Sequence, residues 1–330
     1  MAPTRPFTWA SQAKANGLSA MASCALTFHC ENEPMSQSTV RLAAMAFIIC
    51  CAVDAPPYCD AFAASPKLVE FEGAPQALDN LQQRVERGRG EVPKSVAADP
   101  LRGFLAKPEG DGPFPAIVAL HGCSGLPEAV VQGASERAVS RGFVILLVDS
   151  FSTRAIDHTC TPERYAAADI YTRTLDAYGA LLFLARQSFV DTNRVAVAGA
   201  SQGGMVTLSV AQAHSIELFV NPSNLGFRAA IALYPGCGVV GARPNIPTLI
   251  LVGELDDWTP ASDCERALAH WGIAGVPVQL VTYRGAHHAF DVEIFQPGRM
   301  MFGHWTEYNA KAAEDARRRI YAFLTEYFEK

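Results

Sequence analysis

The sequence has few charged residues and lacks any basic region, and both features exclude whole classes of function. Charged residues make up 18% of the 330 residues, and the net charge is −6. Proteins that bind nucleic acid carry a basic patch or stripe, so we expect no nucleic-acid partner. No segment repeats at a fixed period, which excludes a solenoid.

The chain also has no apolar run long enough to span a bilayer comfortably. Residues 35–41 form a short polar segment with one arginine, and residues 42–53 are all apolar. This order is that of a secretory signal peptide, and Ala61-Phe62-Ala63 or Val53-Asp54-Ala55 fits its small-residue cleavage site. We predict a signal peptide over residues 35–63, export to the periplasm or the exterior, and no stable membrane insertion after its removal.

Two alternatives for this segment stay open, an uncleaved membrane anchor and a buried helix. Residues 1–34 show little periodicity and precede a second possible initiator, Met35. We interpret them as a disordered tail or as an over-extended start. The folded domain is then predicted over residues 64–330.

The cysteines lack the spacing of a zinc site, since there is no C-x-x-C and no histidine pair nearby. We therefore predict no metal site. Five of the nine cysteines precede the predicted cleavage site: Cys24, Cys30, Cys50, Cys51 and Cys59. Cys237 and Cys264 follow consecutive predicted strands and could approach at one sheet edge. We predict the disulfides Cys237–Cys264 and Cys123–Cys160, with four buried thiols as the alternative.

Apolar runs and helical periodicity alternate along the chain after Pro93, which predicts an α/β fold. The sheet is mostly parallel, with helices on both faces. Strands are predicted at 68–71, 101–106, 114–120, 143–148, 194–198, 229–234, 247–252 and 278–283. Helices are predicted at 127–141, 162–187, 205–213 and 306–328, and one more begins at Thr259-Pro260, with Thr259 as its N-cap and Pro260 at its first position. The connection between 229–234 and 247–252 is too short for a cap domain, so we expect an open cleft.

Residues 199–204, Gly-Ala-Ser-Gln-Gly-Gly, lie between a predicted strand and a predicted helix. A serine between glycines at such a turn is the nucleophile elbow of α/β-hydrolases, where a Cβ on either glycine would collide with neighbouring backbone. We predict an α/β-hydrolase fold with Ser201 as the nucleophile.

A serine nucleophile needs a base and an acid, and both candidates come later in the chain in the expected order. His287 and His288 follow the last predicted strand, and we choose His288 as the base. Asp256 and Asp257 follow the strand before it. We choose Asp256 as the acid, and Asp257 is either its alternative or a favourable charge at the next helix N-terminus.

The oxyanion hole of such an enzyme uses two backbone amides. One is that of Gln202, directly after the nucleophile, and the other lies in the loop after strand 114–120, where Cys123 is the best candidate. His121 is expected to orient this loop.

Residues that follow strand ends are candidates for substrate binding. Phe151, Tyr234 and Trp258 could line an apolar acyl pocket or belong to the core. Arg154 or Arg284 could bind a substrate carboxylate, although an exposed arginine is usually just solvated.

Four motifs in order resemble the dienelactone hydrolase family: Leu-His-Gly-Cys-Ser-Gly at 120–125, Gly-Ala-Ser-Gln-Gly-Gly at 199–204, Gly-Glu-Leu-Asp-Asp-Trp-Thr-Pro at 253–260 and Gly-Ala-His-His-Ala-Phe-Asp at 285–291. The resemblance extends over about residues 95–328. It implies a single-domain α/β-hydrolase that acts on carboxylic esters or lactones without a cofactor. Ser201 stands where the founding members carry cysteine, and residues 121–125 lack their glutamate.

These features predict a serine hydrolase whose partner is a small-molecule ester or lactone. A peptidase or an acyltransferase with the same triad is the alternative within enzymes. A catalytically inactive hydrolase fold that serves as a binding protein is the alternative outside them. The sequence contains no signal that fixes the oligomeric state.

Overall fold

The structure is a computed structural model that describes residues 65–329 except 79, 91–94, 222–223 and 240. The predicted tail, signal peptide and five N-terminal cysteines lie outside the described residues. The strands are β1 Lys67–Glu72, β2 Pro100–Ala106, β3 Phe114–Leu120, β4 Val144–Asp149, β5 Val190–Ala200, β6 Ala229–Leu233, β7 Thr248–Gly253, β8 Val278–Tyr283, β9 Arg299–Met301 and β10 His304–Thr306. The α-helices are α1 Asn80–Gly88, α2 Glu128–Val139, α3 Ile170–Ala185, α4 Gln202–Val210, α5 Ala261–Trp271 and α6 Ala310–Phe328.

Eight strands form one sheet in the order β1-β2-β4-β3-β5-β6-β7-β8. The pairs β1–β2 and β2–β4 are antiparallel, and every later pair in this order is parallel. The carboxyl ends of β3, β5, β7 and β8 therefore meet at one edge of the sheet, where ligand sites of such folds lie.

The central strands are apolar because both faces of the sheet are covered. One face packs against α3 and α4, through residues such as Leu181 and Val206. The other packs against α2 and α6, through residues such as Ala138 and Leu324. Strands buried on both sides lose the alternating polar pattern. The predicted α/β-hydrolase fold, with helices on both faces, is confirmed.

The helix predicted over 162–187 is wrong at its start. The structure has a short 3-10 helix at Tyr165–Ala168, and α3 begins only at Ile170. The side chain of Asp169 accepts a hydrogen bond from the amide of Thr172 and caps α3. An N-cap residue adopts extended backbone, so the two helices cannot be continuous.

The helix predicted over 205–213 begins earlier, at Gln202. Gly203 and Gly204 are poor helix formers, so propensity favours a later start. Packing decides otherwise, because both residues are buried in the first turn of α4.

The helix predicted over 306–328 begins later, at Ala310, because the Asn309 side chain accepts a hydrogen bond from the amide of Ala312. Thr306 belongs instead to β10, which pairs antiparallel with β9 in a hairpin. Neither α1 nor this hairpin was predicted. The three-residue strands of the hairpin are too short to show periodicity.

Both predicted disulfides are present, Cys123–Cys160 and Cys237–Cys264. The described part of the β6–β7 connection contains a single 3-10 turn, Cys237–Val239, and no cap domain. Among the described helices, none is both long enough and apolar enough to cross a membrane.

Candidate active site

Ser201 stands at a sharp turn between β5 and α4, with φ 55° and ψ −119°. A positive φ is rare for a residue with a side chain and stores strain, which surrounding contacts must offset. The Ser201 amide donates to the carbonyl of Leu233 at 2.9 Å. A Cβ on Gly199 would lie 2.1 Å from the Gly203 carbonyl oxygen, and one on Gly203 would lie 2.2 Å from that of Leu120. Glycine is thus required on both sides of the serine, as predicted.

Three side chains form a continuous hydrogen-bonded chain at this turn. Ser201 Oγ lies 3.0 Å from His288 Nε2, and His288 Nδ1 lies 2.8 Å from Asp256 Oδ2. The side chains of His288 and Asp256 are almost fully shielded, at 4% and 0% exposure. Because Nδ1 donates to a carboxylate, Nε2 is free to accept a proton from the serine hydroxyl.

Asp256 is held as a carboxylate by its neighbours. Its Oδ1 accepts hydrogen bonds from the amides of Trp258 at 2.9 Å and Thr259 at 2.8 Å. Burial alone would raise the pKa of Asp256, but the bonds from His288 and Thr259 outweigh it and the net shift is downward. The Asp256 carboxyl therefore stays ionised in the pH range in which a histidine side chain ordinarily gains or loses its proton.

Asp257 and His287, the neighbours of these two residues, point elsewhere. Asp257 Oδ1 accepts from the amide of Trp305 at 3.2 Å and lies 3.7 Å from His304 Nδ1. His287 Nδ1 lies 3.1 Å from the carbonyl of Leu255. The structure thus brings Asp256 and His288 together and leaves the alternatives outside.

Thr259 has a different place from the one predicted. It was expected to cap the next helix, but Pro260 is the N-cap of α5 and makes no side-chain cap bond. The Thr259 hydroxyl lies 3.0 Å from both the Tyr234 carbonyl oxygen and Asp256 Oδ2, and 3.1 Å from His288 Nδ1. It fixes Asp256 and His288 relative to the end of β6, a role that the sequence pattern did not show.

The loop after β3 lies against Ser201. A Cβ on Gly122 would lie 3.4 Å from Ser201 Cβ, so the chain passes within van der Waals distance of the serine. Within the described residues, no acceptor takes a hydrogen bond from the Cys123 amide. The Gln202 amide begins α4, where helix geometry leaves the first N–H groups without a partner. Among the residues that the structure describes, neither of the two amides expected to bind the oxyanion has an intramolecular acceptor.

His121 is buried beneath this loop and bonded on both ring nitrogens. Nδ1 lies 2.7 Å from the Gly122 carbonyl, and Nε2 accepts from the Ser150 amide at 3.3 Å. Burial, followed by the charge of Arg173, lowers the pKa of His121 to about 3. The ring is neutral at ordinary pH. It ties the loop after β3, residues 121–125, which we call the oxyanion loop after its expected role, to the end of β4.

A cleft of about 390 Å³ opens in front of Ser201. Tyr234 and Trp258 line it, as predicted, and both rings pack on His288 with centroids 4.8 Å and 5.0 Å away. The rest of its wall is mostly apolar and includes Leu126, Val130, Leu147, Val292, Phe295 and Met301.

The structure does not place Phe151 or Arg154 on this cleft, which contradicts their prediction as substrate-binding residues. Phe151 is buried, and its ring packs edge-on against His121 at 4.4 Å. Arg154 makes two 2.8 Å hydrogen bonds to buried Asp176 and also pairs with Asp99. A guanidinium whose donors are bound by two carboxylates has no free face for a substrate.

The β9–β10 hairpin flanks the site and was missed from the sequence. Its His304 ring stacks on Trp258, with centroids 4.9 Å apart and planes 11° apart. Met301 and Thr306 line the cleft, and the Glu307 amide donates to the His288 carbonyl. Aromatic and histidine residues clustered after β8 were the only signal for it in the sequence.

Comparison with known proteins identifies the family. The model of the dienelactone hydrolase family matches residues 101–328, more than half of the chain. The chain belongs to the dienelactone hydrolase family. A carboxymethylenebutenolidase homologue of Methylorubrum extorquens is 24% identical over 247 residues, which cover 72% of this chain and 81% of that protein.

Two solved structures have the same fold. The dienelactone hydrolase-like promiscuous phosphotriesterase P91 from metagenomic libraries superposes with a TM-score of 0.55 and 17% identity, covering 80% of this chain and 99% of its own. Thermogutta terrifontis esterase 2, phosphorylated by paraoxon, gives a TM-score of 0.54 and 17% identity, covering 80% and 95%. As a member of the dienelactone hydrolase family, the protein is an ester hydrolase. Among the described residues, no group of His, Cys, Asp and Glu is arranged to hold a metal ion.

Proposed function

We propose that this protein cleaves carboxylic esters or lactones through a Ser201–His288–Asp256 triad and an acyl-enzyme. The observation that carries the proposal is the unbroken chain from Asp256 through His288 to Ser201 Oγ at the bottom of an apolar cleft. Nucleophile, base and orienting acid within hydrogen-bond distance of one another are the geometry that nucleophilic acyl transfer requires.

In the first half of the reaction, Ser201 Oγ attacks the ester carbonyl while His288 Nε2 takes the hydroxyl proton. Negative charge develops on the carbonyl oxygen, and the amides of Cys123 and Gln202 donate to it. His288 then returns the proton to the leaving alcohol oxygen, which leaves an acyl group on Ser201. The Asp256 carboxylate stabilises the positive charge of His288 throughout this half.

In the second half, water takes the place of the alcohol. His288 accepts a proton from the water as it attacks the acyl carbonyl, and the same proton then returns to Ser201 as the acid is released. A lactone follows the same steps, except that the leaving hydroxyl stays attached to the acyl group.

The cleft supports a small apolar ester as substrate. A volume of about 390 Å³ lies near the lower end of the range of small-molecule sites. A series of p-nitrophenyl esters of increasing acyl length measures this directly, and a peptide substrate and an alcohol acceptor in the same assay test the peptidase and acyltransferase alternatives.

A fluorophosphonate probe and paraoxon test the nucleophile. Thermogutta terrifontis esterase 2 is phosphorylated by paraoxon, and we expect the same reagent to modify Ser201 here. Mass spectrometry of the modified peptide identifies the residue. Wild-type protein that hydrolyses esters and stays unmodified at Ser201 would refute the proposed mechanism.

Paired substitutions test the acid. Asp256→Asn keeps the shape but removes the charge that fixes His288, so we expect kcat to fall by about 10⁴-fold. Asp257→Asn is the matched control, because Asp257 contacts the hairpin and not His288. Equal losses in the two variants would contradict the assignment.

We also propose that the protein is exported. The two disulfides support this proposal, because such bonds persist in oxidising compartments and are rare in the cytosol. Cell fractionation of the full chain, with N-terminal sequencing of the mature protein, tests both export and cleavage near residue 63.

A further inference from the structure

Arg173, on α3, is fully buried behind the oxyanion loop and belongs to no part of the proposed triad. Its Nη1 donates to Gln202 Oε1 at 2.9 Å, and its Nη2 donates to the His121 carbonyl oxygen at 2.6 Å. The guanidinium also lies 5.3 Å from the centre of the Phe151 ring. One side chain is thus bonded to both segments that contribute an oxyanion amide.

A buried arginine is costly unless its charge has a carboxylate partner. Among the described residues, no carboxylate lies within ion-pair distance of Arg173. The nearby Asp176 pairs with Arg154 instead. Burial lowers the pKa of Arg173 to about 10, so the group stays charged at neutral pH. It bonds only uncharged groups: Gln202 Oε1, the His121 carbonyl oxygen and, at 3.5 Å, His121 Nδ1, while its buried Nε has no partner among the described residues. The charge of Arg173 therefore lies against polar groups of His121 and Gln202 and not against a carboxylate.

The two bonds fix the two oxyanion donors from behind. Gln202 Oε1 also accepts from the Thr159 hydroxyl at 2.7 Å, so the side chain of Gln202 is clamped between two donors. The backbone amide of Gln202 is the first of α4 and directly follows Ser201. The His121 carbonyl lies two residues before the Cys123 amide, and the bond from Arg173 sets the orientation of that stretch of backbone.

We propose that Arg173 is a positioning residue that holds the Cys123 and Gln202 amides in register for the oxyanion. This inference rests on the proposed function. Because an oxyanion hole acts on the transition state more than on the bound substrate, loss of Arg173 lowers kcat and leaves KM nearly unchanged. Losing one donor outright costs on the order of 10²–10³ in kcat, so a misaligned pair should cost about 30- to 100-fold.

The test compares Arg173→Met with Tyr178→Phe, on the full chain with its disulfides intact. Tyr178 lies on the same helix and donates a buried hydrogen bond to the Val210 carbonyl, remote from the oxyanion loop. Both variants lose a buried polar interaction of α3, and their melting temperatures are measured alongside activity. Kinetic constants on a p-nitrophenyl ester are read together with inhibition by a trifluoromethyl ketone, whose hemiketal oxyanion occupies the proposed hole.

The expected result is that Arg173→Met loses kcat/KM and ketone affinity by the same factor, with KM within threefold of wild type. Tyr178→Phe keeps both. A folded Arg173→Met protein with wild-type ketone affinity overturns the inference, and so does a change confined to KM. If the methionine variant does not fold, Arg173→Lys decides: it keeps the charge but not the two-bond fork, so a partial loss is expected and wild-type values overturn the inference. A wild-type protein that neither hydrolyses esters nor binds the ketone refutes the proposed function instead.

Discussion

Protonation of His121 should limit the stability of this protein in mild acid. The ring is 6% exposed, and its Nε2 accepts a hydrogen bond from the Ser150 amide. Adding a proton there would remove that acceptor and would bury a second positive charge beside Arg173. Burial first, and the Arg173 charge second, lower the pKa of His121 to about 3 in the folded state. An unfolded chain restores it to about 6.5.

The direction of the pH effect follows from these two pKa values. Between about pH 6.5 and 3 the unfolded state binds a proton that the folded state excludes, so stability falls as the pH falls. The slope approaches about 1.4 kcal/mol per pH unit, and the loss from pH 8 to pH 5 is about 2 kcal/mol. Asp149 and Asp256, whose pKa values are lowered, add a further loss only below about pH 4.

Urea denaturation at pH 8, 6.5 and 5 under oxidising conditions measures this loss in the free energy of unfolding. His121→Gln is the matched variant, because a glutamine oxygen can accept from the Ser150 amide and does not titrate. We expect it to be less stable than wild type at pH 8 and to lose about 2 kcal/mol less on going to pH 5. If wild type is equally stable at pH 8 and pH 5, or if the variant loses as much as wild type, the reasoning is refuted.

Two further predictions concern the two disulfides and Arg154. Replacing both Cys123 and Cys160 with serine opens a 37-residue loop, which should lower the free energy of unfolding by about 4 kcal/mol and lower kcat several-fold because the oxyanion loop loosens. The Cys237/Cys264 double variant is the control and should lose similar stability but keep its kcat. Equal kcat values in the two double variants would contradict this prediction. Arg154→Ala leaves the buried Asp176 carboxylate without its partner and should lower the free energy of unfolding by about 3 kcal/mol, measured by urea denaturation. A rise in KM confined to anionic esters would instead show that Arg154 binds the substrate.

Much of the architecture could be predicted from local sequence because the forces that set it are local. Runs such as 114–120 and 143–148 are apolar at every position, and only a strand buried on both faces needs that pattern. The elbow at Ser201 is visible because glycine is the only residue that fits on either side. Predicted element ends were wrong where a single side chain decided them, as Asp169 did for α3.

The roles of neighbouring residues could not be read in this way. Asp256 and Asp257 are adjacent carboxylates after the same strand, and their backbone directions decide which one meets His288. Thr259 was predicted to cap a helix, but its hydroxyl instead contacts Asp256, His288 and the Tyr234 carbonyl at the end of β6. Arg154 looked free to bind a substrate and is paired with Asp176 and Asp99.

The sequence by itself predicted the sheet, Ser201 as the nucleophile and the order of its partners, because apolar periodicity and glycine at a strained turn are properties of short segments. Only the tertiary structure decided which aspartate contacts His288, which arginine lies behind the loop after β3, and where the hairpin lies. These depend on contacts between residues far apart in the chain, such as Arg173 with His121 and Gln202. Such contacts exist only after the sheet has brought its loops to one edge.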